Sequence, residues 1–520
     1  MKRTLALTAA VLMFALGAVW LAAQRAEEDF AAPALTIYNQ NFAVVRQPVA
    51  LDLKPGLNEV RFANTTAYLE PDSVMLRDPL GRRQLRIYEQ NFRNDPVSQE
   101  LLLSMYEGKT IDFRLGNDKI VSGKIIRSGY ARRLYDPRNL YGGQYVQSGS
   151  GNQPIIEVDG HLQFGLPGQP LFPALGNDTI LKPTLHWQLA GDKPGLLQAE
   201  LSYISGGFRW EADYNLVAPE PGPPARAGVA RAGVEESGDV IDLIGWVTID
   251  NLSGKTFDHA RVRLMAGDVN KIAPEAVAMG AAKAMLARAD EAMQPAVSER
   301  SFDEYHLYTL ERAVTLRDHE TKQVEFVRAT GVRSQKLYVY DGANIDWNRY
   351  RGWSFENIRT DPGYGTQSNP KVWVMQELKN SVANHLGIAL PRGRMRFYRR
   401  DEDGRLQFTG ENLIDHTPAD ETIRVYTGNA FDLVGERRRL NYQVDSAHHT
   451  VDESFEIKLR NHKKEAVAVR AVEHLYRCQN WRLISKSDQY RKLDANQIEF
   501  PVTIPADGEV TITYAVHYWW

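Results

Sequence analysis

Arg209-Trp210-Glu211-Ala212-Asp213-Tyr214-Asn215-Leu216 is the stretch on which the fold class turns. Trp210, Ala212, Tyr214 and Leu216 fall on one side of an extended chain and the polar residues on the other, the period-two pattern of a strand with one buried face. Outward from it the pattern recurs. Leu185, Trp187 and Leu189 alternate within Thr184 to Leu189, and Val510, Ile512, Tyr514, Val516 and Tyr518 alternate in the last segment. Turn dipeptides such as Asp159-Gly160, Asp403-Gly404 and Asp507-Gly508 separate such runs, as between hairpin strands. Dense strands with few helical stretches between them predict a mainly β chain of several antiparallel sandwiches or barrels rather than a parallel sheet.

At 520 residues the chain exceeds what one hydrophobic core sustains. The expected order is an N-terminal β-rich domain over 33–217, a central one over 240–440 and a C-terminal immunoglobulin-like sandwich over 446–520. A small barrel is expected as an insertion at 109–165, around a Gly-, Ser- and Gln-rich loop from Tyr141 to Pro154. Ala218 to Ala232 is rich in Pro, Gly and Ala, and 218–234 reads as a linker. Ala273 to Ala296, Ala- and Met-rich with Lys283, Arg288 and Glu291 interspersed, predicts a helical insertion over 273–299 in the middle of the chain. A weaker boundary falls in the polar stretch from Arg439 to Ser446.

Hydrophobic residues at 43% and charged residues at 24% exclude a disordered chain. A net charge of −3 lacks the basic footprint of a nucleic-acid binder. Compartment is read from the first residues. Lys2 and Arg3 precede an uncharged apolar run from Leu5 to Ala23, the pattern of a secretory signal and about the length that crosses a bilayer. Leu21 fits poorly as the −3 residue of a cleavage site after Ala23. Residues 1–27 are therefore either a cleaved signal or an anchor that keeps its positive end cytoplasmic. With Cys478 as the one cysteine, no lipoprotein anchor and no intrachain disulfide is expected. Export to the periplasm or cell envelope follows, with 5–23 as the candidate inner-membrane anchor.

Several segments resemble one family when taken in order. They are Ile37-Tyr-Asn-Gln-Asn-Phe-Ala-Val-Val-Arg46, Pro71-Asp-Ser-Val74, Tyr88-Glu-Gln-Asn-Phe92, Ser202 to Tyr214, Gly245 to Gly254 and Ala266-Gly-Asp-Val-Asn270. Together they are similar to the bacterial exported family called domain of unknown function 4139, from about Ile37 to Trp520. The resemblance implies an exported β-rich protein and brings no catalytic residues.

No metal site and no cofactor are expected: there is no H-E-x-x-H, G-x-S-x-G, Walker-type loop or dinucleotide fingerprint. Asp401-Glu-Asp-Gly404 resembles the start of a calcium loop but lacks the later ligands and reads as a hairpin turn. The candidate binding surface is the glycine-punctuated stretch from Asp341 to Gln367. There Trp347, Tyr350, Trp353 and Tyr364 lie among hydrogen-bonding residues, a composition suited to capturing sugar or peptide. The alternative is a loop that folds its aromatics beneath itself. Two functions follow: a non-catalytic binder or scaffold for an envelope protein or glycan, or an exported glycosidase-like hydrolase with paired carboxylates.

Overall fold

Trp210, Ala212, Tyr214 and Leu216 are all buried in the strand Phe208–Ala218, and the residues between them face outward or sit at intermediate depth. The computed structural model describes residues 32–116, 118–130, 153–174, 179–219, 239–267, 269–271, 297–343, 345 and 348–520. Within these the chain is mainly β, in several sheets whose pairings are mostly antiparallel, with two short α-helices, Gln99–Met105 and Phe355–Thr360. No helix of the described residues is long and apolar enough to cross a membrane. The expected signal or anchor at 1–27, the loop at 141–152, the linker from 220 on and residues 273–296 of the expected helical insertion lie outside the described residues, while its last three residues, 297–299, begin the strand Val297–Phe302 instead.

The described chain divides into two compact units. The first runs to Glu211 and resumes at Val247–Val324. Its main sheet places Ala34–Tyr38 between Phe42–Leu53 and Phe257–Ala266, antiparallel to the former and parallel to the latter. Gly195–Gly206 continues the sheet, and Leu201 and Tyr203 are buried there. A three-stranded sheet centres on Thr184–Gly191, where Leu185, Trp187 and Leu189 are fully buried as the alternation predicted. Burying such a ring is favourable only if its N–H finds an acceptor, and Trp187 Nε1 donates to Gln90 Oε1 at 2.9 Å.

Where a small barrel was expected at 109–165, the described residues form a five-stranded antiparallel sheet with its own small core, and its edge strands Gln169–Leu171 and His161–Phe164 do not pair with each other. Its strands are Thr110–Arg114, Ile120–Arg127, Ile155–Val158, His161–Phe164 and Gln169–Leu171. Phe113, Ile125 and Ile156 meet Leu103 of the short helix, whose start is capped by the Ser98 hydroxyl.

The second unit comprises Ala212–Trp246 and Glu325–Trp520. Its C-terminal half is a sandwich with one core. One layer pairs the end of Thr422–Asp445 with Thr450–Asn461, Glu509–Trp519 and Asn480–Lys486. The other pairs the end of Glu320–Asp341 with Val467–His474, Gln497–Ile504 and Arg491–Lys492. Phe455, Ile457, Ile512, Tyr514 and Val516 from the first layer share a core with Val469, Ala471 and Phe500 from the second. The polar stretch from Arg439, read above as a boundary, is strand to Asp445: Thr422–Asp445 pairs with Lys371–Lys379 over its first part and with Thr450–Asn461 over its last.

The rest of this unit curls round. Leu406–Ile414, Gly393–Arg400, Phe208–Ala218, Asp239–Asn251, Glu320–Asp341, Lys371–Lys379 and Thr422–Asp445 follow one another in the sheet. The first and last then meet backbone to backbone, since a Cβ on Gly410 would lie 2.0 Å from the Thr427 carbonyl oxygen. Glycine, at φ 151°, is what permits that approach and closes the ring as a barrel. Asp401-Glu-Asp-Gly404 is the hairpin turn between two of these strands, with the Asp401 amide bonded to Arg405 O at 2.8 Å.

Candidate functional site

The stretch from Asp341 to Gln367 lies beside the C-terminal sandwich, in the same unit. Tyr350 and Tyr364 are each 5% exposed and stack edge to face at 5.2 Å, and Trp353 meets Tyr350 edge-on at 5.3 Å while remaining 39% exposed. The structure thus brings together three of the four aromatics singled out from sequence; Trp347 lies outside the described residues. Burial pushes the Tyr364 phenol up to about 12.

Arginines hold the stretch down. Arg477 Nη1 donates to the carbonyls of Ile358, Arg359 and Asp361, and its Nη2 to that of Tyr364. Arg437 Nη1 donates to Gly365 O at 2.6 Å, Arg439 Nη2 to Pro362 O at 2.6 Å and Tyr442 OH to Thr360 O at 2.6 Å. A guanidinium fans several donors in one plane, so it can bind a carboxylate on one edge and carbonyls on another.

Beneath lie the carboxylates. Glu473 accepts from Arg437 Nε and Nη2 at 2.8 to 3.0 Å and from Tyr514 OH at 2.6 Å. Glu453 accepts from Arg477 Nε and Nη2, both at 2.9 Å, and from Arg439 Nη1 at 3.2 Å. Burial alone would lower the pKa of Arg437, but Glu473 and Tyr514 outweigh it and raise it above the usual arginine range. His474 Nε2 pairs with Asp341 Oδ2 at 2.8 Å, and its Nδ1 lies 3.0 Å from Tyr476 OH. Between these groups is a cavity of about 20 Å³, bordered by Tyr364, Arg437, Glu453, His474 and Arg477. That is room for about one water.

Sequence reading missed these charges, although a signal was there. Glu473 is in phase with Val467, Val469 and Ala471, and Glu453 with Val451, Phe455 and Ile457. A carboxylate on the apolar face of an alternating strand has to find a cation.

A second, larger cavity of about 150 Å³ opens at the mouth of the barrel. Each of the seven strands contributes a wall residue: Thr409, Phe397, Leu216, Ile241, Lys336, Gln376 and Thr427. No carboxylate is among the residues that line it. Arg399 at the rim is paired with Asp239. Among the described residues no group of three or more His, Cys, Asp or Glu is arranged to hold a metal ion.

No protein-family model, no curated protein and no solved structure matches the chain.

Proposed function

We propose that this is an exported cell-envelope protein with a non-catalytic binding or scaffolding role toward an envelope protein or glycan. The observation that carries it is the state of the carboxylates beside the aromatic stretch. Both oxygens of Glu453 and of Glu473 are engaged by arginine or tyrosine donors of the same unit. A hydrolase with paired carboxylates needs one to give a proton and the other to meet water or the sugar. Carboxylates engaged in this way fix backbone in place instead.

Export rests on Lys2, Arg3 and the apolar run from Leu5 to Ala23, and the resemblance to the exported family called domain of unknown function 4139 points the same way. Incubating the purified protein with isolated bacterial envelopes tests the role. Co-sedimentation without release of reducing ends or free amines is the expected result. Protein-dependent release that disappears in Glu453→Gln or Glu473→Gln would replace the binding reading with the hydrolytic one. N-terminal sequencing of the chain recovered from the envelope fraction tests the compartment, with an intact Lys2-Arg3 start marking a retained anchor.

A further inference from the structure

We infer that the barrel mouth is a binding site for a small organic anion with an apolar body, its charged end on Lys336. The inference rests on the binding reading above and gives it a ligand class. Apolar side chains make up much of the wall, with Leu216, Ala218, Ile241, Val374 and Phe397 drawn from four strands. The cavity's roughly 150 Å³ matches the size of a dry cavity that accepts benzene, so the apolar body is about six heavy atoms.

The polar side of the cavity is asymmetric in charge. Two cations line it, and they differ. Arg399 is balanced by Asp239. Lys336 makes no ion pair among the described residues and stands opposite Gln376 on the neighbouring strand. The Gln376 amide oxygen accepts from Ser334 Oγ at 3.0 Å, which orients the side chain and leaves the hydrogens of its NH2 to offer. Thr409 and Thr427 spend their hydroxyl hydrogens on the carbonyls of Phe397 and Val374, both at 3.2 Å. An ammonium and an amide donor above an apolar wall favour a carboxylate, because a charge-assisted hydrogen bond is about twice as strong as a neutral one. A neutral molecule of the same shape gains the apolar contact and at most a hydrogen bond to an uncharged oxygen.

Benzoate, hexanoate and benzyl alcohol are the probes, followed by ligand-observed NMR on the full chain. Benzoate and hexanoate separate an aromatic from an aliphatic source, and benzyl alcohol reports binding without the negative charge. At least one acid is expected to bind at millimolar concentration, and more tightly than the alcohol. Lys336→Gln, at an exposed position where folding is not at stake, should weaken the acid about tenfold and leave the alcohol unchanged. Ala218→Leu, which fills the cavity, should abolish all binding. The inference is overturned if neither acid binds at millimolar concentration, or if Lys336→Gln binds the acid as well as the wild type does. Envelope retention is measured separately, so failure of the small-anion site and failure of the binding role give different results.

Discussion

Each unit sinks a cation into its β-core, and the two are handled in opposite ways. In the first, Lys255 is 8% exposed, donates to Gln47 Oε1 and sits 5.0 Å from the centre of the Phe257 ring. It makes no ion pair with a carboxylate among the described residues. Burial first, and Lys182 second, bring its pKa down to about 8. In the second unit Arg437 and Arg477, with side chains 3% and 2% exposed, are each clasped by a glutamate. The difference teaches which residue suits which solution. An ammonium can lose its proton when burial penalises the charge, whereas a guanidinium stays charged and must be given a counter-charge and hydrogen-bond acceptors. Arginine was therefore usable as a permanent clamp on the aromatic stretch, and lysine was not.

The contrast breaks most sharply at Glu473. Glu473→Ala leaves Arg437 charged, buried and without its partner, and should lower the stability of the sandwich by about 3–5 kcal/mol. Amide hydrogen exchange in the strands Thr450–Asn461 and Glu509–Trp519 reads it. A loss below about 1 kcal/mol, the scale of exposed pairs, would mean Arg437 is not held as a buried ion.

Lys255 should respond to pH in its own direction. Between its ordinary 10.5 and the folded value of about 8, the unfolded chain binds the proton and the folded one does not. The first unit should therefore gain stability as pH rises from about 8 to 10.5, by roughly 3 kcal/mol in all. Lys255→Met should flatten that rise, as read by hydrogen exchange in Phe257–Ala266 at pH 7.5, 9 and 10.5. An unchanged slope in the variant would show that Lys255 is not the titrating group.

His474 should give a smaller slope of the opposite sign. Burial lowers its pKa, but the hydrogen bond and charge of Asp341, with Glu473 adding and Arg437 opposing, leave it raised above 6.5. The stability it contributes is complete below pH 6.5 and is lost as pH rises through the folded value. His474→Gln should remove this decline from the exchange profile of Val467–His474. A decline that persists in the variant belongs to another group.

The smallest effect is expected at the open edge of the clamped stretch. Trp353→Ala, at a half-exposed ring, should change stability by no more than about 0.5 kcal/mol, the usual range for surface substitutions. A melting temperature several degrees lower would place Trp353 with Tyr350 and Tyr364 as part of the fold.

The strands were legible wherever one face was apolar. Trp210, Trp187 and Tyr514 lie buried on the faces their alternation gave them. The polar stretch from Arg439 to Ser446 was read as a boundary, and only its pairing with Thr450–Asn461, where Arg439 meets Glu453, makes it strand as far as Asp445. The aromatic stretch was legible as unusual, but the direction its rings face was not. Arg477, which fixes that direction, lies 113 residues from the Tyr364 carbonyl it binds.

By itself, then, the sequence determined strand content and which face of each strand is buried, because period-two alternation is a local consequence of the pleat and the hydrophobic effect. It also carried the charged start and apolar run from which export is argued. Only the tertiary structure decided which buried charge meets which. It also decided that seven strands close into a barrel with a cavity at its mouth, and that Lys336 faces that cavity beside an arginine already balanced by Asp239. Those outcomes depend on register and on contacts between residues far apart in the chain, and a one-residue change of register exchanges the two faces of a strand.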